Sequence, residues 1–247
     1  MKTWTNGTFD EFRRFFYSVR IWRLVITGMN WIEGMVNTTN RQTHMNKAMI
    51  YIVDDEPTHA EFTRLLVESL GLPSTVCLGA QAFFDCFADV GPSVVVSDVI
   101  MPDITGLELL SKLKEFDYMP LVVFITGFAN VSLVKKAMKQ GAFDFVEKPL
   151  EAEGFIKIIE EASLLATNRY LSHTHSLQLK QKLGTLTTRE KQIFDLLMKG
   201  ISNKKMEDKL FISKRTIESH RYNIFRKFEV TNLSELMSLF INNLELE

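Results

Sequence analysis

The chain has 247 residues, 46% of them apolar and 24% charged, with a formal net charge of −1. That length suggests two small domains, and that composition excludes a disordered chain or a coiled coil as the main content. The near-zero total hides an asymmetry: residues 48–166 hold 8 Lys/Arg against 18 Asp/Glu, net −10, whereas residues 185–228 hold 11 against 5, net +6. An acidic part and a basic part suit different partners.

In chain order, the stretch 1–47 comes first, with all three tryptophans (Trp4, Trp22, Trp31) and a net charge of +4. Its most apolar part, Phe15 to Ile32, contains Arg20 and Arg23 and is broken by Gly28 and Asn30, so no transmembrane helix and no membrane partner are expected. From Ala48 short apolar runs alternate with helical patterns. Strands are expected at 48–53, 75–78, 93–97, 121–126 and 142–147. Helices are expected from Pro57 to the stop at Gly71, at 80–89, near 106–116, at 131–140 and at 152–166. Strands this uniformly apolar, separated by helices, predict a doubly wound α/β unit with a five-stranded parallel sheet covered on both faces.

Residues 167–184 lose the alternation and are expected to be a linker, helical in part. Beyond them the pattern is wholly helical, at 187–199, 202–210, 213–228 and 232–244. Thr187 with Glu190 and Asn232 with Glu235 have capping-box spacing. The expected division is therefore an extra segment at 1–44, an α/β domain at 45–166, a linker at 167–184 and an all-α domain at 185–247. The two cysteines, Cys77 and Cys86, have no partner at metal-ligand spacing and no secretory signal precedes them, so reduced thiols in a cytoplasmic protein are expected.

In an open parallel sheet, ligands bind beyond the carboxyl ends of the strands. The first strand ends in Asp54 and Asp55, the third in Asp98, the fourth in Thr126 and the fifth in Lys148. Three carboxylates at one rim repel one another unless a cation sits among them. Mg2+ answers that need: it takes oxygen ligands and keeps several waters, and Asp54, Asp55, Asp98 and the Ile100 backbone carbonyl are placed to hold it. Phosphoryl transfer to a carboxylate depends on neutralising the transferring oxygens, which Mg2+, Lys148 and the Thr126 hydroxyl can do. Any one strand-end aspartate could simply cap the next helix. Five such groups in strand order make that bland reading a poor one. Lys148 precedes Pro149, where either a cis peptide or a plain helix start fits.

YIVDDE at 51–56, SDVIMPDITG at 97–106, ITG at 125–127 and FDFVEKPL at 143–150 resemble, in order and spacing, the receiver domain of two-component signalling. The resemblance implies Asp98 as phosphoacceptor, Asp54 and Asp55 as metal ligands, Thr126 as the phosphate-sensing hydroxyl and Lys148 as the phosphate partner. The switch aromatic falls on Phe145, where many receivers carry Tyr.

In the basic part, Ile193, Leu196 and Leu197 form one apolar stripe, Met206 and Leu210 another, and Ile217, Ile224 and Phe228 a third. The last of these helices presents Lys214, Arg215, Glu218, Ser219, Tyr222 and Arg226 on its other side, a face suited to a major groove. A short connection with Ser213 as N-cap fits a helix-turn-helix. A charged helix face is usually just solvated, but the net +6 of the block points to phosphate contact. LTTRE, GISNKKMEDKLFIS and RTIESHRYNI resemble the LuxR-type helix-turn-helix of FixJ and NarL response regulators. Lys205, Met206 and Glu207 depart from it, standing where Glu or an apolar residue, Ile and Ala are common. The resemblance implies Glu218, Ser219 and Tyr222 as base readers and Lys204, Lys214, Thr216 and Arg226 as phosphate contacts.

The expected function is a DNA-binding transcriptional response regulator. A sensor histidine kinase would phosphorylate Asp98, and the phosphorylated form would bind double-stranded DNA as a homodimer. No enzyme activity is expected beyond slow self-phosphorylation and dephosphorylation, since no Gly-rich phosphate loop, nucleophile elbow or zinc motif is present. The alternative is a phosphorylation-dependent interaction module whose helical domain does not bind DNA. MNKAMIYIVDDE from Met45 makes a natural lead into the first strand, so an over-extended start is the favoured reading of residues 1–44, against a basic amphipathic docking segment.

Overall fold

The computed structural model describes residues 47–88, 91–102, 104–127 and 131–241, and the expectations for residues 1–44 lie outside them. Five strands, β1 (Met49–Val53), β2 (Ser74–Cys77), β3 (Ser93–Asp98), β4 (Leu121–Thr126) and β5 (Asp144–Glu147), form one parallel sheet in the order β2-β1-β3-β4-β5. Between them run α1 (Pro57–Ser69), α2 (Ala80–Cys86), α3 (Gly106–Leu113) and α4 (Val131–Lys139), and α5 (Ala152–Gly184) follows β5. The period-2 alternation of strand side chains builds two separate cores. Ile50, Ile52, Val94, Val96, Val123 and Ile125 pack with α1 and the start of α5, whereas Tyr51, Val53, Val95, Val122 and Phe124 pack with α2, α3 and α4. Burial on both faces explains why these strands read as continuous apolar runs.

The largest difference from expectation is α5. It is one unbroken 33-residue helix, so the predicted linker at 167–184 is helical throughout. No Gly or Pro stands between Gly154 and Gly184, and Leu, Gln and Lys sustain a helix without an apolar periodicity that sequence reading detects. Its middle is held in the α/β unit: the Tyr118 hydroxyl donates to the Ala166 carbonyl at 2.8 Å, and the Tyr118 ring meets Tyr170 edge-on at 5.1 Å. The chain divides into two compact units at residues 175 and 176. Smaller differences lie at element ends. The helix expected at 80–89 is assigned over Ala80–Cys86, and that expected near 106–116 over Gly106–Leu113. No described helix is long and apolar enough to cross a membrane.

The second unit contains α6 (Thr188–Met198), α7 (Asn203–Leu210), α8 (Lys214–Phe228) and α9 (Leu233–Ile241) around a core that includes Ile193, Leu197, Met206, Ile217, Ile224, Phe228 and Phe240. Phe194 stacks on Phe228 at 5.6 Å. Both halves of the Thr187–Glu190 capping box are present. At α9 the Asn232 side chain accepts from the Glu235 N–H at 2.9 Å, while the Glu235 carboxylate takes the N–H of Thr231, one residue further back than a capping box requires.

Candidate functional site

The sheet order places β1 and β3 side by side, with their chains leaving in opposite directions, and this switch point is where a cleft opens in an open parallel sheet. Asp54 follows β1 directly and Asp98 ends β3. Lys148, just after β5, donates from Nζ to Asp98 Oδ2 at 2.7 Å and to Asp54 Oδ2 at 3.0 Å, so one ammonium bridges two carboxylates. The peptide between Lys148 and Pro149 is cis. All three side chains are largely buried. Burial works against the charge on Lys148, but hydrogen bonds and attraction from Asp98 and Asp54 outweigh it and raise its pKa. The other carboxylate oxygens are held by the backbone: Asp54 Oδ1 accepts from the Glu56 N–H at 2.9 Å, and Asp98 Oδ1 from the Ile100 N–H at 3.0 Å.

Thr126 ends β4 and is fully buried, and its carbonyl accepts from the Lys148 N–H at 2.8 Å. Phe145 is half-buried on β5 in register with Phe124. Asp55 is exposed on the turn after Asp54, outside the Lys148 network, and Ile100 is exposed beside Asp98. Sequence reading missed His59, whose Nδ1 lies 3.1 Å from Lys148 Nζ at the mouth of the pocket. It also missed Gly106. A Cβ there would meet the Asp98 carbonyl oxygen at 2.5 Å and the Phe124 ring at 2.8 Å, so α3 can begin against the end of β3 only with glycine at that position. The Thr105–Glu108 capping box that starts this helix was readable as T-x-x-E.

In the helical unit, α7, the short turn and α8 form the expected helix-turn-helix. Ser213 caps α8, its side chain accepting from the Thr216 N–H at 3.2 Å. Ile217, Ile224 and Phe228 face inward, while Lys214, Arg215, Glu218, Ser219, Tyr222 and Arg226 are exposed, as is Lys204 on α7. Lys214 pairs loosely with Glu218 at 3.9 Å, a surface contact that solvent screens. Thr216 is half-buried and its hydroxyl is engaged with Ser213 at 2.9 Å, so of the expected phosphate contacts it is the one already tied to the cap.

Three ties that the sequence did not reveal hold α6, α7 and α8 together. Arg221 donates to Asn203 Oδ1 at 2.6 Å, Arg189 donates to the Leu210 carbonyl at 2.7 Å, and Lys227 pairs with buried Glu190 at 2.7 Å. Burial works to raise Glu190, but Lys227 and the Thr187 N–H and hydroxyl outweigh it and hold the carboxyl below its ordinary range.

The family model for the response regulator receiver domain matches residues 50–160, and the model for bacterial regulatory proteins of the luxR family matches residues 184–240. The transcriptional regulatory protein FixJ of Bradyrhizobium diazoefficiens is 36% identical over 193 residues, covering 78% of this chain and 94% of that protein. The chain belongs to the FixJ-like response regulators. The response regulator protein TmoT of Ectopseudomonas mendocina is 33% identical to this regulator over 196 residues, covering 78% of the chain and 89% of TmoT. The solved structure of the response regulator StyR superposes with a TM-score of 0.71 at 31% identity, covering 79% of the regulator and 99% of StyR. The regulator thus joins a receiver to a LuxR-type DNA-binding domain, and it stands among DNA-binding transcription regulators rather than typical enzymes. That combination implies a histidine kinase and DNA as partners.

Receiver domains generally bind Mg2+ at the phosphorylation site. The donor set here suits such an ion, because the two buried carboxylates already enclose one positive charge. Among the described residues no three His, Cys, Asp or Glu side chains could hold a metal by themselves. Mg2+ does not require three, since it binds through one or two carboxylates and keeps several waters.

Proposed function

We propose that Asp98 is the phosphoacceptor of this response regulator and that a sensor histidine kinase in the cytoplasm supplies the phosphoryl group. The observation that carries this reading is the single Lys148 ammonium bridging Asp98 and Asp54 at 2.7 and 3.0 Å. An Asp98 carboxylate oxygen forms the new bond to phosphorus as the bond from phosphorus to the kinase histidine breaks, and the imidazole nitrogen keeps the electron pair. Lys148 is positioned to exchange its contact with Asp98 for one with a phosphoryl oxygen. Mg2+ bound by two of the carboxylates Asp54, Asp55 and Asp98, with the Ile100 carbonyl, would neutralise charge on the transferring oxygens. Thr126 would hydrogen-bond the phosphoryl group, and Phe145, on the neighbouring strand, would repack with α4 as Thr126 moves. The roles divide at 45–166 for the receiver, 167–184 for the linker and 185–247 for the DNA-binding domain, the linker being the second half of α5.

Phosphorylation then promotes a homodimer, which sets two α8 helices on successive half-sites of double-stranded DNA. Glu218, Ser219 and Tyr222 read bases, and Lys204, Lys214, Thr216 and Arg226 contact phosphates. Two linked contacts bind with a high effective concentration, so affinity for a palindromic site should rise far more than for a half-site. The test measures binding to full and half sites, selected from a random duplex pool, with and without acetyl phosphate. Thr126→Ala should keep phosphoryl uptake yet lose most of the gain on the full site. Equal strengthening on both sites would replace dimerisation by relief of inhibition from the acidic receiver.

A further inference from the structure

Cys77 closes β2 and Cys86 closes α2, and neither belongs to the acidic pocket. Their sulfurs lie 3.2 Å apart, with no disulfide between them. Cys77 is buried in the core beneath α2 and α3, whereas Cys86 is exposed. Cys86 Sγ also lies 3.4 Å from the Phe83 carbonyl oxygen, which can only accept. Burial, together with the hydrogen bond and charge of Cys86, pushes the Cys77 thiol well above the usual thiol range. Cys86 is therefore the sulfur that a solute reaches.

We propose that Cys77 and Cys86 are a disulfide-forming site oxidised by peroxides, a second input to the receiver besides Asp98. In the first step the Cys86 thiol, losing its proton, attacks one peroxide oxygen; the O–O bond breaks, water leaves, and Cys86 becomes a sulfenic acid. In the second, the Cys77 sulfur attacks the Cys86 sulfur and the S–O bond breaks. The departing hydroxide takes the Cys77 proton as a second water. Two thiols lose two electrons to one peroxide.

The geometry makes this closure short. A disulfide needs its sulfurs about 2.05 Å apart, so the pair must approach by roughly 1 Å. Cys86 is the last residue of a seven-residue helix, where one turn can follow. A thiolate metal site is the competing use of two cysteines. Among the described residues no third His, Cys, Asp or Glu stands with them to complete one.

Closure also touches the acidic pocket through the sheet. The Cys77 carbonyl accepts from the Asp54 N–H at 3.2 Å and from the Gly79 N–H at 2.9 Å. Drawing Cys77 toward α2 pulls on the backbone that positions Asp54, and with it the Lys148 bridge to Asp98. Oxidised protein should therefore take up phosphate more slowly, reversibly on reduction.

The test treats the full-length protein with hydrogen peroxide and follows intact mass, thiol alkylation and phosphoryl uptake from acetyl phosphate. The expected result is loss of both alkylatable thiols, a mass lower by about 2 Da as two hydrogens leave, and slower uptake restored by dithiothreitol. Cys86→Ser, at an exposed position, should keep normal uptake and lose its peroxide response. Cys77→Ala should accumulate a sulfenic acid at Cys86 that dimedone traps. Two thiols still alkylatable after oxidation, or only dimers linked through Cys86, would overturn the site. Equal uptake by oxidised and reduced protein, or a peroxide response surviving in Cys86→Ser, would overturn its coupling to Asp98.

Discussion

The acidic site draws its side chains from segments at 54, 98 and 148, whereas the exposed polar face of the helix-turn-helix comes mostly from a single fifteen-residue helix, α8. In the pocket, buried charges hold each other and the backbone holds their remaining oxygens. On α8 the outward side chains are solvated and make few mutual contacts, and the order lies in the ties that Arg221 makes to α7 and Lys227 to α6. A site assembled from distant segments fails as a unit. A helix face fails one contact at a time, unless its supports are cut.

The sharpest way to break this comparison is Asp98→Asn, which keeps side-chain volume and removes the nucleophile. Phosphoryl uptake from acetyl phosphate in Mg2+ should vanish while the far-ultraviolet circular dichroism stays unchanged; uptake equal to wild type would remove Asp98 from the site. Lys148→Ala should slow uptake on the order of 100-fold, the usual effect of deleting one charge-stabilising group, and leave half-site DNA binding of the unphosphorylated protein intact. A loss below about threefold would mean that the ammonium only neutralises the resting pocket.

In the helical unit the largest effect should come from beneath the exposed face of α8. Glu190→Gln should destabilise that unit by about 2 kcal/mol, because it removes a buried charged hydrogen bond to Lys227. Since the folded pKa of Glu190 is depressed, its contribution is present above the unfolded carboxyl value of about 4.3 and is lost as pH falls through the lower folded value. Denaturant midpoints of wild type and variant should accordingly converge in acid; a constant gap down to the acid limit would assign the effect to packing. Lys214→Ala should do least: a modest loss of affinity for all duplexes alike and a salt slope smaller by about 1. A change in sequence preference instead would make Lys214 a base reader. Absence of any salt-dependent retardation in the wild type would favour an interaction module that does not bind DNA.

Much of this is readable in the amino-acid sequence. Strands buried on both faces announce themselves as apolar runs, and the strand-end rule then selects Asp54 and Asp98 from 30 acidic residues, together with the Lys148 that bridges them. The inward stripe Ile217, Ile224 and Phe228 fixed which side of α8 is free. What escaped depends on tertiary proximity. His59 is an ordinary surface histidine until β5 brings Lys148 beside it. Cys77 and Cys86 lie on a strand and a helix, whose periods give no common face. Residues 167–184 lack the amphipathic stripe of a packed helix, so their helicity was legible only as the absence of Gly and Pro before Gly184.

The glycine at the start of α3 gives the regulator a hidden point of failure. Adding one methyl group at Gly106 would remove no ionisable side chain, yet the new carbon would overlap the carbonyl of Asp98 and the ring of Phe124. Either the helix start or the strand end must then move. A mutational survey that scores substitutions by chemical similarity would pass Gly106→Ala as benign. In a cell it should resemble a null allele for signalling, with the protein still made and its DNA-binding half still folded.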